Sequence, residues 1–306
     1  MTRSRRALTV VSPQFPCGAA WLANALIELG VMPVELWGFD TTLEWVEDPE
    51  GNHLYVAEHW PWRQTLASLK PGARFRFDSA IAATFTHLFP WQIQPAADVI
   101  VVLRDPRDAL YSEWRRQRRN GQLDASINFA AFAGRPFHGG PLSNADLLWL
   151  HLRCWFEVHA AGQIRVHLVR FEDWKRDDCG VLASVVAWLG LGRTAPAIAR
   201  ACAASEVGLL LAVEEEVVRE DPTASRFNHR GRAQEWLTSW SADEHRALGP
   251  HWQSLLADLG YRRSPLVGGR APRFDTREVL CWRDPIAAAD LAAWASRVDV
   301  WKMGRP

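Results

Sequence analysis

An arginine and a serine at the start of a predicted helix are the side chains in this sequence best suited to bind an anion. Arg104 directly follows the apolar run Val99–Leu103, and Ser112 lies about two helical turns further on. A guanidinium has a planar set of N–H donors that matches a phosphate, and a serine hydroxyl adds one more donor. These two residues therefore predict a phosphate-binding site.

The elements around Arg104 place it at the edge of a sheet. Val99–Leu103 is continuously apolar rather than alternating, as in a strand that is buried on both faces. Asp105 is a good N-cap, and Pro106 suits the first turn of a helix but cannot extend a strand, so a helix is predicted over 107–119. Ligands of open α/β sheets bind at the carboxyl ends of the strands, where Arg104 would lie.

Composition narrows the class of protein. The 306 residues suffice for one large α/β domain, and the formal net charge of zero gives no support for nucleic-acid binding. The five cysteines are odd in number and widely spaced, which predicts neither a disulfide framework nor a metal site. The apolar run Ala7–Val11 is too short for a signal peptide, and no membrane-spanning segment is predicted. A cytoplasmic protein is expected.

The remaining elements predict a parallel sheet. Ala7–Ser12 is a predicted strand, a loop with two prolines and a glycine follows it, and a helix begins near Trp21. This order directs backbone N–H groups at a phosphate, although many α/β folds begin in the same way. Further strands are predicted at 73–78 and 164–171, and further helices at 144–161, 179–189, 206–220 and 243–259. Residues 1–261 form the predicted domain, and 262–306 a C-terminal extension with one helix.

Three segments resemble one protein family, in the right order along the chain. They are Val99–Ser112, Val169–Lys175 with Val186–Leu191 downstream, and Asn228–Trp236. The first is similar to the 3′-phosphate block of sulfotransferases of the cytosolic or bacterial type, Arg-[Asp/Asn]-Pro-x-Asp-x-x-x-Ser. The second is similar to their Tyr-Glu-Asp-Leu-Lys…Phe-Leu-Gly block, and the third to their Arg-Lys-Gly-x-x-Gly-Asp-Trp loop. These enzymes use 3′-phosphoadenosine 5′-phosphosulfate (PAPS) as donor.

The resemblance implies a fold and a set of donor contacts. The fold is a three-layer α/β/α sandwich with a central parallel sheet, related to nucleotide kinases. Arg104 and Ser112 would hold the 3′-phosphate, and Arg230 and Gly231 would close over it. Trp21 would stack on adenine, near Phe171, which replaces a tyrosine of the family. The backbone of the first loop would cradle the 5′-phosphosulfate, without a metal, through the residues Cys17, Gly18, Ala19 and Ala20.

The first loop departs from the family pattern Pro-Lys-Ser-Gly-Thr-Thr-Trp. The lysine that contacts the bridging and leaving oxygens aligns with Pro16, and both threonines are alanines. Pro13-Gln14 is an alternative match to the Pro-Lys pair. The loop therefore predicts that an arginine from elsewhere replaces the lysine, or that turnover is slow or absent.

The general base has two main candidates. Thr86-His87-Leu88-Phe89-Pro90 is similar to the family segment that carries a catalytic histidine. A histidine suits proton transfer because its pKa lies near neutrality. Asp78, at the end of the preceding predicted strand, is the rival to His87, and His59 is a third candidate.

The resulting hypothesis is a sulfotransferase that moves a sulfuryl group from PAPS to a hydroxyl of a small molecule or glycan. A catalytically silent PAPS-binding protein is the alternative. A nucleotide-kinase-like phosphotransferase is disfavoured because the sequence lacks Gly-x-x-x-x-Gly-Lys-[Ser/Thr]. The sequence indicates neither the acceptor nor the oligomeric state.

Overall fold

The structure is a computed structural model. It describes residues 5–37, 39–40, 45–47, 53–56, 74–77, 79–93, 98–139, 142–162, 164–224, 226, 231–248 and 252–261. The predicted extension 262–306 and the candidate base His59 lie outside the described residues.

In the described part of the chain, nine strands form two sheets. They are β1 Arg6–Val11, β2 Met32–Leu36, β3 Phe39–Asp40, β4 Trp45–Glu47, β5 His53–Val56, β6 Arg74–Arg76, β7 Ile81–Thr86, β8 Asp98–Leu103 and β9 Val166–Arg170. The larger sheet has the order β3-β2-β7-β1-β8-β9. Its five strands from β2 to β9 run parallel, and only the short β3 at the edge is antiparallel. The predicted central parallel sheet is thereby confirmed.

Eleven α-helices lie within the described part of the chain. They are α1 Ala19–Glu28, α2 Pro106–Arg119, α3 Phe129–Gly134, α4 Asn144–Ala161, α5 Phe171–Arg176, α6 Asp178–Leu189, α7 Ala195–Ala204, α8 Val207–Glu220, α9 Trp236–Ser239, α10 Ala242–Ala247 and α11 Trp252–Asp258. Two short 3₁₀ turns cover Pro90–Gln92 and Phe137–Gly139.

The apolar run of β8 separates two hydrophobic cores. Ile100 and Val102 pack with α1, α6 and α7 on one face of the sheet. Val99, Val101 and Leu103 pack with α2, α3 and α4 on the other. Because side chains of a strand alternate between faces, a strand between two layers of helices must be apolar at every position. This arrangement is the three-layer sandwich that the sequence predicted.

Two predictions about helices are wrong. Residues 243–259 do not form one helix, because α10 ends at Ala247 and Leu248 has extended dihedral angles. Pro250 follows shortly in the sequence, and a proline is incompatible with the interior of a helix. Helix α7 was not predicted, although Pro196 stands in its first turn as a start signal.

The sequence analysis predicted no membrane-spanning segment, but residues Ala195–Glu220 have the length and apolar composition of one. In the structure Ser205 and Glu206 divide the segment into α7 and α8. The Asn24 amide of α1 donates to the Ala204 carbonyl and to the Ser205 hydroxyl, both at 2.9 Å. The break is thus tied to α1, and one face of α7 packs in the core beside the sheet.

Candidate active site

One cavity collects the predicted binding residues. Strands β1, β7, β8 and β9 are parallel, so their carboxyl ends lie at the same edge of the sheet. A cavity of about 280 Å³ opens at this edge. The described residues that were predicted to bind the donor or to act as base all line it: Cys17, Gly18, Ala19, Ala20, Trp21, His87, Arg104, Ser112, Phe171 and Gly231.

A buried ion pair shapes the turn between β8 and α2. Asp105 caps the helix by accepting from the Arg107 backbone N–H at 3.0 Å, as predicted. The same carboxylate accepts from Nε and Nη2 of Arg107 at 2.8 and 2.6 Å. The Arg107 side chain is 0% exposed, and its guanidinium carbon lies 3.5 Å from the ring centre of Trp236. This bidentate pair is far stronger than an exposed one and fixes the direction in which the turn presents Arg104.

Arg104 joins three parts of the cavity wall. Its Nη1 donates to the Pro16 carbonyl at 3.2 Å, and its Nη2 to the Arg232 carbonyl at 2.8 Å. Its guanidinium carbon lies 4.7 Å from the ring centre of Phe171. Arg104 is 6% exposed, and its Nε has no hydrogen-bond partner among the described residues. A buried positive charge with an unused N–H fits a phosphate.

Asp108 holds the loop that precedes α9 against α2. Its carboxylate accepts from the backbone N–H of Gln234 at 2.5 Å and of Trp236 at 3.1 Å. The pKa of Asp108 is raised to about 6, mainly by burial and also by the nearby Asp105, while Arg104 and the two backbone N–H donors lower it. Gln234 has φ 63°, a left-handed conformation, at the position where the resembling motif has glycine. The two hydrogen bonds keep this loop over the cavity.

Glu172 links the ends of β8 and β9. It accepts from the Asp105 backbone N–H at 2.8 Å and from the Tyr261 hydroxyl at 2.9 Å. Burial raises the pKa of Glu172, and the hydrogen bonds to its carboxylate oppose that rise. The acidic residue of the Val169–Lys175 block therefore supports the site structurally and does not line the cavity.

The first loop approaches the cavity through its backbone. Gly18, at the N-cap of α1, has φ +88°, and a Cβ there would lie 2.8 Å from the Phe171 ring. Both facts require glycine at this position. Helix α1 then directs its first N–H groups and its dipole toward the loop. Burial raises the pKa of the Cys17 thiol to about 11, so the loop carries no thiolate.

Aromatic rings form another wall of the cavity. The Trp21 ring centre lies 3.7 Å from that of Trp174 and 6.4 Å from that of Phe171. Of these three residues, Trp21 and Phe171 line the cavity. A planar aromatic wall beside cationic side chains is suited to bind a nucleotide base.

His87 is oriented by the end of β1. Its Nδ1 lies 2.9 Å from the Ser12 carbonyl oxygen and 3.2 Å from the Ser12 hydroxyl. A carbonyl oxygen only accepts, so Nδ1 is assigned as the protonated nitrogen, and the neutral ring then carries its lone pair on Nε2. His87 therefore has the tautomer that a general base needs. Its rival Asp78, like the predicted phosphate ligand Arg230, lies outside the described residues.

Arg116 and Lys175 are cationic residues of the cavity wall that the sequence analysis did not propose as site residues. Arg116 pairs with Glu113 at 2.7 and 2.6 Å. It stands four residues after Ser112, so helical spacing alone would have placed both on one face. Lys175 also lines the cavity, four residues after Phe171.

Away from the cavity, Asp178, Cys179 and Cys202 place their ligand atoms within 4.8 Å of one another. Burial raises the pKa of the Cys202 thiol, which disfavours the thiolate that binds a metal.

The fold and the site define a class of protein. The structure has a parallel sheet in the order β2-β7-β1-β8-β9 with a cavity at its carboxyl edge, which is where open α/β sheets bind their ligands. The sequence profile described as Sulfotransferase domain matches residues 68–249, which is more than half of the chain. The chain therefore belongs to the sulfotransferase family.

Solved structures share this fold. A retinol dehydratase in complex with androsterone and inactive cofactor PAP is 19% identical, with a TM-score of 0.55 over 85% of this chain and 83% of that chain. Mouse sulfotransferase SULT7A1 complexed with PAP is 18% identical, with a TM-score of 0.56 over 85% and 87% of the two chains. No curated protein matches the chain by sequence.

Proposed function

We propose that this chain transfers a sulfuryl group from PAPS to a hydroxyl of a small molecule or glycan. The observation that carries the proposal is that one cavity contains both side chains suited to bind a phosphate and a histidine whose ring is oriented by a hydrogen bond. Arg104 and Ser112 line it from the end of β8 and from α2, and His87 lines it from the end of β7. A transferase needs both of these groups within reach of one pair of substrates.

The residues present fit the donor. The unused Nε of Arg104 and the hydroxyl of Ser112 would bind the 3′-phosphate. The Trp21 ring would contact adenine, and the N-terminus of α1 at Gly18 would face the 5′-phosphosulfate. Bound there, PAPS supplies an activated sulfuryl group whose transfer leaves adenosine 3′,5′-bisphosphate. No metal is needed to hold these anions, since cationic side chains and backbone N–H groups suffice.

His87 would take the proton of the acceptor hydroxyl. Its Nε2 is the basic nitrogen, because Nδ1 donates to the Ser12 carbonyl. That hydrogen bond also stabilises the imidazolium that forms as the proton arrives. A hydroxyl positioned against Nε2 thereby gains nucleophilicity where transfer takes place.

The acceptor is proposed to be a small molecule or a sugar hydroxyl. The structures of retinol dehydratase that share this fold are complexes with androsterone or with retinol, which are small alcohols. Phe15 and Trp37 line the cavity together with His87 and give this end apolar contact area. The cytoplasmic location remains part of the same proposal.

Binding of the donor product tests the anchor. Adenosine 3′,5′-bisphosphate should raise the thermal unfolding temperature of the wild type, and Arg104→Ala should remove most of that increase. Ser112→Ala loses a single hydrogen bond and should weaken binding about tenfold. Arg118→Ala, an exposed change on the same helix, should bind as the wild type does. The donor assignment is wrong if the wild type shows no shift.

Turnover tests the base and separates the enzyme from a silent binding protein. Transfer of labelled sulfate from PAPS is measured on a panel of phenols, alcohols and sugars. His87→Ala should lower turnover about a hundredfold or more while bisphosphate binding is retained. His167→Ala, on β9 and stacked on Trp188, is the control and should leave turnover unchanged. Unchanged turnover in His87→Ala would assign the base to Asp78 or another group.

A catalytically silent protein is the alternative, and the sequence of the first loop favours it. Pro16 stands where the family has lysine, and Ala19 and Ala20 stand where it has threonines. This alternative predicts bisphosphate binding by the wild type with no labelled product on any acceptor. Labelled product on a single acceptor excludes it.

A further inference from the structure

Lys175 lies between two parts of the cavity wall that are distant in sequence. Phe171 and Lys175 are one turn apart on α5 and therefore share a face of the helix. The Phe171 ring lies against Gly18 of the first loop. Further along the same face, Lys175 Nζ lies 3.9 Å from the position that a Cβ on Gly231 would occupy. Lys175 thus places an ammonium group beside the late loop.

The charge of Lys175 is not neutralised by a neighbouring acid. In the described part of the chain no carboxylate forms an ion pair with it, and its Nζ lies 5.8 Å from the ring centre of Trp21. The adjacent Arg176 instead pairs with Asp173 at 2.6 Å. Arg116 also lines the cavity, but a bidentate pair with Glu113 neutralises it. Lys175 is therefore the better placed of these cations to meet an anionic ligand.

The charge of Arg104 is already shared with protein atoms. Two of its N–H groups donate to the carbonyls of Pro16 and Arg232. A phosphate monoester carries close to two negative charges at neutral pH, so one shared guanidinium leaves much of that charge unmatched. A second cation beside Gly231 would balance the phosphate charge that Arg104 leaves unmatched.

We propose that Lys175 binds the 3′-phosphate of the donor nucleotide and makes the cavity select nucleotides that carry this phosphate. The inference rests on the proposed function, which places that phosphate between Arg104, Ser112 and Gly231. Gly231 leaves room for the contact, since any side chain there would meet Val207 at 3.3 Å and the Lys175 ammonium. Lys175 is a binding residue in this scheme and takes no part in proton transfer.

Calorimetry with two nucleotides tests the selectivity directly. Adenosine 3′,5′-bisphosphate and adenosine 5′-monophosphate differ only in the 3′-phosphate. Lys175→Met keeps the length of the side chain and removes the charge, so it should weaken bisphosphate binding about tenfold and monophosphate binding less than about twofold. Lys175→Arg keeps the charge and should stay within about threefold of the wild type for both ligands.

The matched control is Arg176→Ala. Arg176 is the next residue, is cationic and highly exposed, and does not line the cavity, so its removal should change neither affinity. Bisphosphate binding by Lys175→Met at wild-type strength would overturn the inference. An equal loss for both nucleotides would overturn it too, because Lys175 would then act on adenine or on the 5′-phosphate. If the wild type itself fails to bind bisphosphate, the proposed function falls together with the inference.

Discussion

The two sides of the cavity are held by different kinds of interaction. The β8–α2 corner depends on charge: Asp105 pairs with the buried Arg107, and Asp108 accepts two backbone N–H groups. The first loop depends on backbone conformation and apolar contact, with Gly18 in a left-handed conformation against Phe171. Its Cys17 thiol is neutral. Among the described residues, a hydrogen bond from Arg104 to the Pro16 carbonyl connects the two sides.

This difference separates binding from catalysis. In the proposed function, Arg104 and the supporting Asp105–Arg107 pair of the corner would hold the 3′-phosphate, so we expect affinity to reside there. The loop supplies backbone N–H groups but no cationic side chain at the place where negative charge develops on a leaving group. Changes in the corner should therefore affect stability and binding, and changes in the loop should affect turnover.

The largest effect is expected from breaking the corner. Arg107→Met leaves the Asp105 carboxylate buried without its partner, which costs about 3–5 kcal/mol of unfolding free energy. Urea denaturation measures the loss. Arg115→Ala is the control: its 3.6 Å contact with Glu235 is partly exposed, and its removal should cost less than about 1 kcal/mol. Equal losses in the two variants would contradict the distinct role of the corner.

The second prediction concerns the pH dependence of stability. Burial raises the pKa of Asp108 from 3.8 to about 6. The folded state therefore favours the protonated carboxyl, and this contribution is present below pH 3.8 and is lost as the pH rises through about 6. The unfolding free energy of the wild type, relative to Asp108→Asn, should fall by roughly 3 kcal/mol across that range.

Urea denaturation at a series of pH values gives this difference. Asp108→Asn has its own cost, because an amide oxygen replaces only one of the two acceptors. The prediction is therefore tested by how the difference in unfolding free energy between the wild type and Asp108→Asn changes with pH. Parallel curves for the two proteins would show that Asp108 titrates in the fold as it does in the unfolded chain.

The corner was predictable because every local signal agreed. The apolar run, the Asp105 cap and the Pro106 start each specify the same strand, turn and helix, and all are observed. The predicted helices 144–161 and 179–189 are observed as well, with local signals at their ends: an N-cap at Ser143 and a left-handed Gly190. Such signals depend on neighbouring residues only, so they can be read without the tertiary structure.

The rest of the site depends on contacts between distant segments. Lys175 and Arg116 face the cavity because α5 and α2 pack with a given face toward it. Helical spacing relates each of them to a recognised residue but does not tell which face is inside. The orientation of His87 follows from β1 and β7 being neighbours, a pairing between residues far apart in sequence. For the positive φ of Gln234, the signal is the glycine that the resembling motif has at this position, and not the glutamine itself.

The third prediction adds to the first loop the charge that it lacks. Pro16→Lys places an ammonium group in the loop while keeping the backbone carbonyl that Arg104 binds. Turnover should rise about tenfold, because a cation at the leaving oxygens stabilises the transition state more than the ground state. Bisphosphate affinity should change less than turnover.

Gln14→Lys is the matched control for this variant. Gln14 also lines the cavity and is the other position that aligns with the family lysine. An increase in Pro16→Lys alone assigns the leaving-group contact to position 16. An increase in turnover in Gln14→Lys alone would assign the leaving-group contact to position 14 and would contradict the alignment of Pro16 with the family lysine.

The smallest expected effect lies in the loop that Asp108 holds. Gln234 has φ 63°, which costs a non-glycine residue about 1–2 kcal/mol, whereas glycine adopts it freely. Gln234→Gly should stabilise the protein by about 0.5 kcal/mol, since the greater entropy of glycine in the unfolded chain offsets part of the relief. Gly231→Ala should destabilise the protein, because residue 231 has φ +55° and the added Cβ would lie 3.3 Å from Val207. Destabilisation by Gln234→Gly would mean that contacts of the glutamine side chain outweigh the backbone strain, and that the loop is fixed by more than the two hydrogen bonds to Asp108.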